Sequence, residues 1–149
     1  DDRYDQQPAF EADIEAIIRA LPPGTRASDV RYFLDGFPRR YLKNTRPQQA
    51  AEHFLLWRDL ATRQMVMHLA RSENVYELLV MTADRPFLFS KITGVLTYFG
   101  MNILRGQAFS NRHGTIFDLI AFEDVRQNFA KNPNIFVFNV CLSYFKILT

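Results

Sequence analysis

The sequence predicts an α+β fold, and three observations carry that prediction. Residues 75–81 form an apolar run of the length a buried strand needs. After Thr82-Ala83-Asp84-Arg85-Pro86 the period turns helical, with Leu88, Ile92, Val95, Leu96 and Phe99 along one face. Beyond Gly100 the period returns to two, and Asn111-Arg112-His113-Gly114 divides two extended segments, which is a hairpin signal. The order is strand, helix, strand, hairpin, strand. A second helix and a last strand after Asp124 would complete a βαββαβ unit with an antiparallel sheet.

A small helical segment is expected ahead of that unit. Residues 8–21 place Phe10, Ile14, Ile17, Ile18 and Leu21 on one stripe, and Pro22-Pro23-Gly24 stops the helix. Ser28 is the expected cap of a short second helix whose Val30, Phe33 and Leu34 face inward and which ends at Gly36. Residues 37–46 are basic and read as irregular. Thr45 is the expected cap of a third helix with Pro47 in its first turn, and Ala50, Phe54, Trp57 and Ala61 lie along one face. These helices give a domain division of 1–61 and 64–149. Residues 65–70 alternate weakly and would add an edge strand beside 75–81.

Within the second part, the helix begins at Pro86, because a residue before proline avoids helical geometry. Its cap is Gly100, at the position where a left-handed residue closes a helix. If Ser110 opposes Thr115, then Ala108 opposes Phe117, and Arg105, Gln107 and Phe109 share the other face with Asp118. Arg105 and Asp118 are then diagonal neighbours. In the tail, Val125 and Phe129 suggest a helix cut short by Asn132-Pro133-Asn134. Residues 135–145 then read as the fourth strand, beside 75–81.

Taken in order, the strand, Asp84-Arg85-Pro86, Leu88-Phe89, the helix ending at Gly100, Asn102-Ile103 and a third strand bearing Asp118 resemble the ACT domain, which has a ferredoxin-like fold. Upstream, Phe37-Pro38-Arg39-Arg40-Tyr41-Leu42 is similar to the segment that joins an HD hydrolase domain to ACT domains in bacterial PII uridylyltransferase/uridylyl-removing enzymes. The resemblance spans roughly 37–124. It implies a regulatory region that binds an amino-acid effector, glutamine in that family. Asp84, Arg85, Pro86, Phe87 and Leu88 would lie on one side of the ligand, with Asn102 and Ile103 on the other. It also implies catalytic domains upstream, a second ACT domain in the same protein and self-association through the sheet. The family usually carries glycine after Asp-Arg-Pro, and this chain carries Phe87, a ring in the space a ligand would need. A structural or oligomerisation module without a small-molecule ligand is the alternative expectation.

The remaining residues argue mainly by exclusion. The 149 residues carry a formal net charge of +2, too little for a polyanion-binding surface. The basic cluster Arg39, Arg40, Lys43 and Arg46 reads as a solvated linker, and no nucleic-acid partner is expected. His53, His68 and His113 lack metal-ligand spacing. Cys141 is the single cysteine and sits in an apolar run, as an inert buried thiol does. Glu123-Asp124 reads as a loop or cap. No phosphate loop or dinucleotide fingerprint occurs, so no cofactor, metal or catalytic residue is assigned. The apolar run at 135–145 is shorter than the ~20 residues a membrane helix needs. With no secretion leader, a cytoplasmic location is expected. The opening Asp1-Asp2-Arg3-Tyr4-Asp5, without an initiator Met, suggests a piece of a longer nucleotidyltransferase-like chain that is not itself an enzyme.

Overall fold

The structure is a computed structural model that describes residues 8–83 and 88–127. They form α1 (Pro8–Arg19), α2 (Ala27–Leu34), α3 (Arg39–Asn44), α4 (Pro47–Asp59), β1 (Met65–Ser72), β2 (Val75–Ala83), α5 (Leu88–Tyr98), β3 (Asn102–Ser110) and β4 (Thr115–Glu123). The fold is α+β, with one four-stranded antiparallel sheet in the order β1-β2-β4-β3. Two compact units divide the chain. One holds residues 8–66, 81–83 and 109–116, and the other holds 67–80, 88–108 and 117–127.

In the first unit, α1, α2 and α4 pack on one another. The α1 stripe buries Phe10, Ile14 and Ile17, and α2 buries Val30, Phe33 and Leu34. The helix ends differ from the expected caps. Arg26, not Ser28, stands at the start of α2 and makes no side-chain cap bond. Arg46, not Thr45, precedes Pro47 at the start of α4, where its amide donates to Gln49 Oε1 at 3.2 Å. The expected irregular stretch at 37–46 contains α3. Tyr41 explains the difference: it is buried, and its hydroxyl meets His53 Nδ1 of α4 at 2.8 Å. A basic composition told of the exposed side of that turn and nothing of the one residue that anchors it. Ala61 falls beyond the end of α4 and is exposed.

In the second unit, α5 buries Leu88, Ile92 and Leu96. Its carboxyl end closes as expected at Gly100, with φ +80°. The Gly100 amide donates to the Thr97 carbonyl at 2.9 Å, and the Met101 amide to the Leu96 carbonyl at 3.0 Å. This bond pair satisfies carbonyls that the last helical turn leaves free.

The β3–β4 register differs by one residue from the expected one. The Asn111 amide donates to the Thr115 carbonyl at 3.1 Å. Carried down the ladder, this sets Phe109 opposite Phe117, Arg105 opposite Ala121, and Ala108 opposite Asp118. A slip of one residue exchanges faces. Arg105 therefore cannot meet Asp118; it reaches over Ala121 to Glu77 of β2, at 3.6 Å. Phe109, expected on the open face, is buried against Tyr41 and Phe37 within the first unit.

The second face carries Tyr76 stacked on Phe122 with ring centroids 5.6 Å apart, and Asp118, Ile120 and Gly106. It is the face α5 covers: a Cβ on Gly106 would lie 2.4 Å from Phe89 Cζ.

The expected edge strand at 65–70 is present as β1, and it occupies the position beside β2 that residues 135–145 were expected to take. Those residues, with Phe129 and the rest of the expected second helix, lie outside the described residues. Asp124 to Gln127 form a turn closed by the Gln127 amide on the Asp124 carbonyl at 3.1 Å.

Candidate functional site

Of the seven residues implied as effector contacts, Asp84, Arg85, Pro86 and Phe87 lie outside the described residues. Leu88 opens α5 and is buried. Asn102 opens β3 on the surface, and its Nδ2 donates to Glu123 Oε2 at 3.3 Å. Ile103 beside it is half-buried. Asn102 Nδ2 thus already holds one acceptor.

A second constellation, unforeseen in the sequence, gathers where the β3–β4 hairpin tip meets the end of α2 within the first unit. Asn111 organises the tip. Its Oδ1 accepts from the amides of His113 and Thr115, each at 3.0 Å, and its Nδ2 donates to the Phe33 carbonyl at 3.2 Å. The Arg112 amide donates to the Asp35 carbonyl at 2.7 Å. That approach requires a residue without Cβ at position 36: Gly36 has φ +87°, and an added Cβ would lie 2.7 Å from the Arg112 nitrogen. The Asp35 carboxylate then faces a guanidinium and an imidazole. Oδ2 lies 3.0 Å from His113 Nε2, and Oδ1 lies 3.4 Å from Arg112 Nη1. Tyr32 stacks on the His113 ring, centroids 3.6 Å apart.

Beside this cluster is a cleft of about 360 Å³ lined by Phe10, Ser28, Arg31, Tyr32, Asp35 and His113. Arg31 binds Glu11 through both guanidinium nitrogens. That hydrogen bonding holds the Glu11 carboxyl below its ordinary value and raises the Arg31 guanidinium. The cleft walls are therefore two neutralised ion pairs and two rings. A carboxylate–imidazole pair is half of a nucleophile-activating device. Among the described residues no hydroxyl or thiol hydrogen-bonds the His113 ring, so the other half is not assembled there. No group of three or more His, Cys, Asp or Glu among the described residues is placed to hold a metal.

In the second unit, a cleft of about 490 Å³ is lined by residues including Arg71, Tyr76, Glu123 and Asp124. The Arg71 guanidinium sits over the Tyr76 ring at 5.3 Å, and its Nε donates to the Glu73 carbonyl at 2.9 Å. Asp118 stands apart from both clefts. It is 1% exposed, and neither carboxylate oxygen has a hydrogen-bond partner. Burial raises its pKa from the usual carboxylate range to about 7.

The clasp at Asp35 was not legible locally, since its partners are 78 residues apart where Asn111 meets Phe33. The one available signal was Gly36 following a helix, which marks a special backbone without naming what approaches it.

No protein-family model and no curated protein matches the chain. No helix among the described residues is long and apolar enough to cross a membrane.

Proposed function

We propose that the chain is a regulatory module of the ACT type, without catalysis of its own, that binds an amino acid, glutamine first among them, in a PII uridylyltransferase-like protein. The observation that carries this reading is the strand order. β4 lies between β2 and β3, with α5 crossing from β2 to β3. A ferredoxin-like domain contains a split βαβ unit of this order, and that likeness supports the reading. α5 follows directly on the Asp84-Arg85-Pro86-Phe87 segment, as the ACT pattern requires of an effector turn. On this reading Asn102 and Ile103 complete the site across from Leu88, and the upstream catalytic domains and a second ACT domain are the partners to which binding is communicated.

The test is isothermal titration of the chain with glutamine and a panel of other amino acids. Saturable heat at or below millimolar glutamine is expected, weakened about tenfold or more in Asn102→Ala by loss of a charge-assisted hydrogen bond. Silence across the panel at millimolar ligand would end the sensing role for this chain. A second reading, an association module without a ligand, draws on two features. Phe87 replaces the usual glycine, and among the described residues β3 is an edge strand with Leu104 exposed.

A further inference from the structure

Asp118 is the one described residue whose buried side-chain oxygens lack any hydrogen-bond partner. Its surroundings explain why nothing answers it. The β3–β4 register sets Ala108 on one side. On the other, the Tyr76–Phe122 stack and the Glu77–Arg105 pair over Ala121 align Val80 with it. Its same-face neighbours along β4 are Ile116 and Ile120. Above lies α5, with Leu88, Ile92 and Leu96 turned inward and Phe89 pressed over Gly106.

The charged and titratable groups of the packed elements can be named. On α5 there are Lys91, which makes no ion pair with Asp118, and Tyr98, exposed at the carboxyl end of the helix. On β2 there are Tyr76, at the far end of the same face, and Glu77, on the opposite face. On β3 there is Arg105, which faces away and is held by Glu77. On β4 there is Glu123, on the opposite face, whose Oε2 accepts from Asn102 Nδ2. On β1 there are His68, facing away, and Arg71, over Tyr76.

An ionised carboxylate sealed in such a site is strongly disfavoured unless paired. The neutral acid is far easier to bury. Among the described elements α5 is the one that lies over this face, and its release would return the carboxylate to water.

We infer that Asp118 is a proton-gated latch beneath α5: the helix stays docked on the sheet while the carboxyl is neutral and lifts from it when the carboxyl ionises. The inference stands on the burial and isolation of the carboxylate and does not require the amino-acid reading. The sign follows from linkage. The docked state holds its proton to about pH 7, and an exposed Asp releases its proton near ~3.9. Docking is therefore most stable below about pH 4 and weakens as pH rises through about 7, with no further loss above that.

Amide hydrogen exchange of the full chain at pH 5 and pH 7, corrected for intrinsic rates, tests the latch. In the wild type the opening constant of the α5 amides should rise on the order of 50-fold between these pH values. The amides of β2 and β4 should rise far less. Asp118→Asn, which cannot ionise, should reduce the α5 rise to about threefold or less. An equal rise in Asp118→Asn would overturn the latch, as would an equal rise across helix and strands. Should that variant not fold, the ¹³C shift of the wild-type Asp118 carboxyl decides alone. A midpoint near 7 supports the latch, and a midpoint near ~4 ends it.

Discussion

Gly24 and Gly36 occupy the same left-handed backbone region, at φ +88° and +87°. Their surroundings differ. Nothing lies within 4 Å of a Cβ added to Gly24, whereas at Gly36 the Arg112 backbone nitrogen lies 2.7 Å away. Gly24→Ala should therefore cost only the conformational penalty, about 1 kcal/mol. Gly36→Ala should cost about 3 kcal/mol or more, because it also forces apart the Arg112–Asp35 backbone bond. Urea denaturation of the two variants makes the comparison. Equal costs would mean that the hairpin tip does not depend on the close approach at position 36. The sequence revealed the two glycines equally well, each as a stop after a helix. It could not rank them, because Arg112 is far from Gly36 along the chain.

At the scale of elements, α5 was the most legible part of the molecule. Its apolar spacing, the preceding proline and the closing glycine are all local signals, and Leu88, Ile92 and Leu96 are buried as the spacing implies. What it packs against was not legible. Gly106 sits mid-strand, where a glycine weakens pairing or marks a close approach. Here the close approach is the Phe89 ring, 2.4 Å from a hypothetical Cβ. Gly106→Ala should destabilise the chain by about 1–3 kcal/mol. The cost should shrink in a Phe89→Ala background, since the two residues meet in one contact. A double-mutant cycle by chemical denaturation measures this, and additive costs would place Phe89 elsewhere. The β3–β4 hairpin shows how one local choice propagates. Asn111 opposite Thr115, instead of Ser110, moved Arg105 from Asp118 to Glu77 and turned Phe109 inward. A turn signal marks where a hairpin bends but does not by itself fix register, which here follows from the bonds Asn111 makes.

At the scale of the whole molecule, the sheet formed by the described residues ends in two edges, β1 and β3. An edge strand offers unpaired backbone groups to another chain. If β3 is the association surface, Leu104, 48% exposed, lies near its first end. Sedimentation should then show a dimer for the wild type and a monomer for Leu104→Arg, while glutamine titration of the same variant reports on sensing separately. A wild type that sediments as a monomer at high micromolar concentration removes the edge from consideration.

The sequence by itself determined the type and order of the main elements, because apolar period, proline and glycine act within a few residues. From that followed the α+β class and the strand–helix–strand–hairpin–strand order. Only the tertiary structure decided which residues of β3 and β4 face each other, that Asp35 gathers Arg112 and His113, and that Asp118 is buried without a partner. Each of these joins segments that are distant along the chain or depends on a one-residue choice of register. Such contacts are set by which surfaces can exclude water together, and local sequence periodicity carries no record of that.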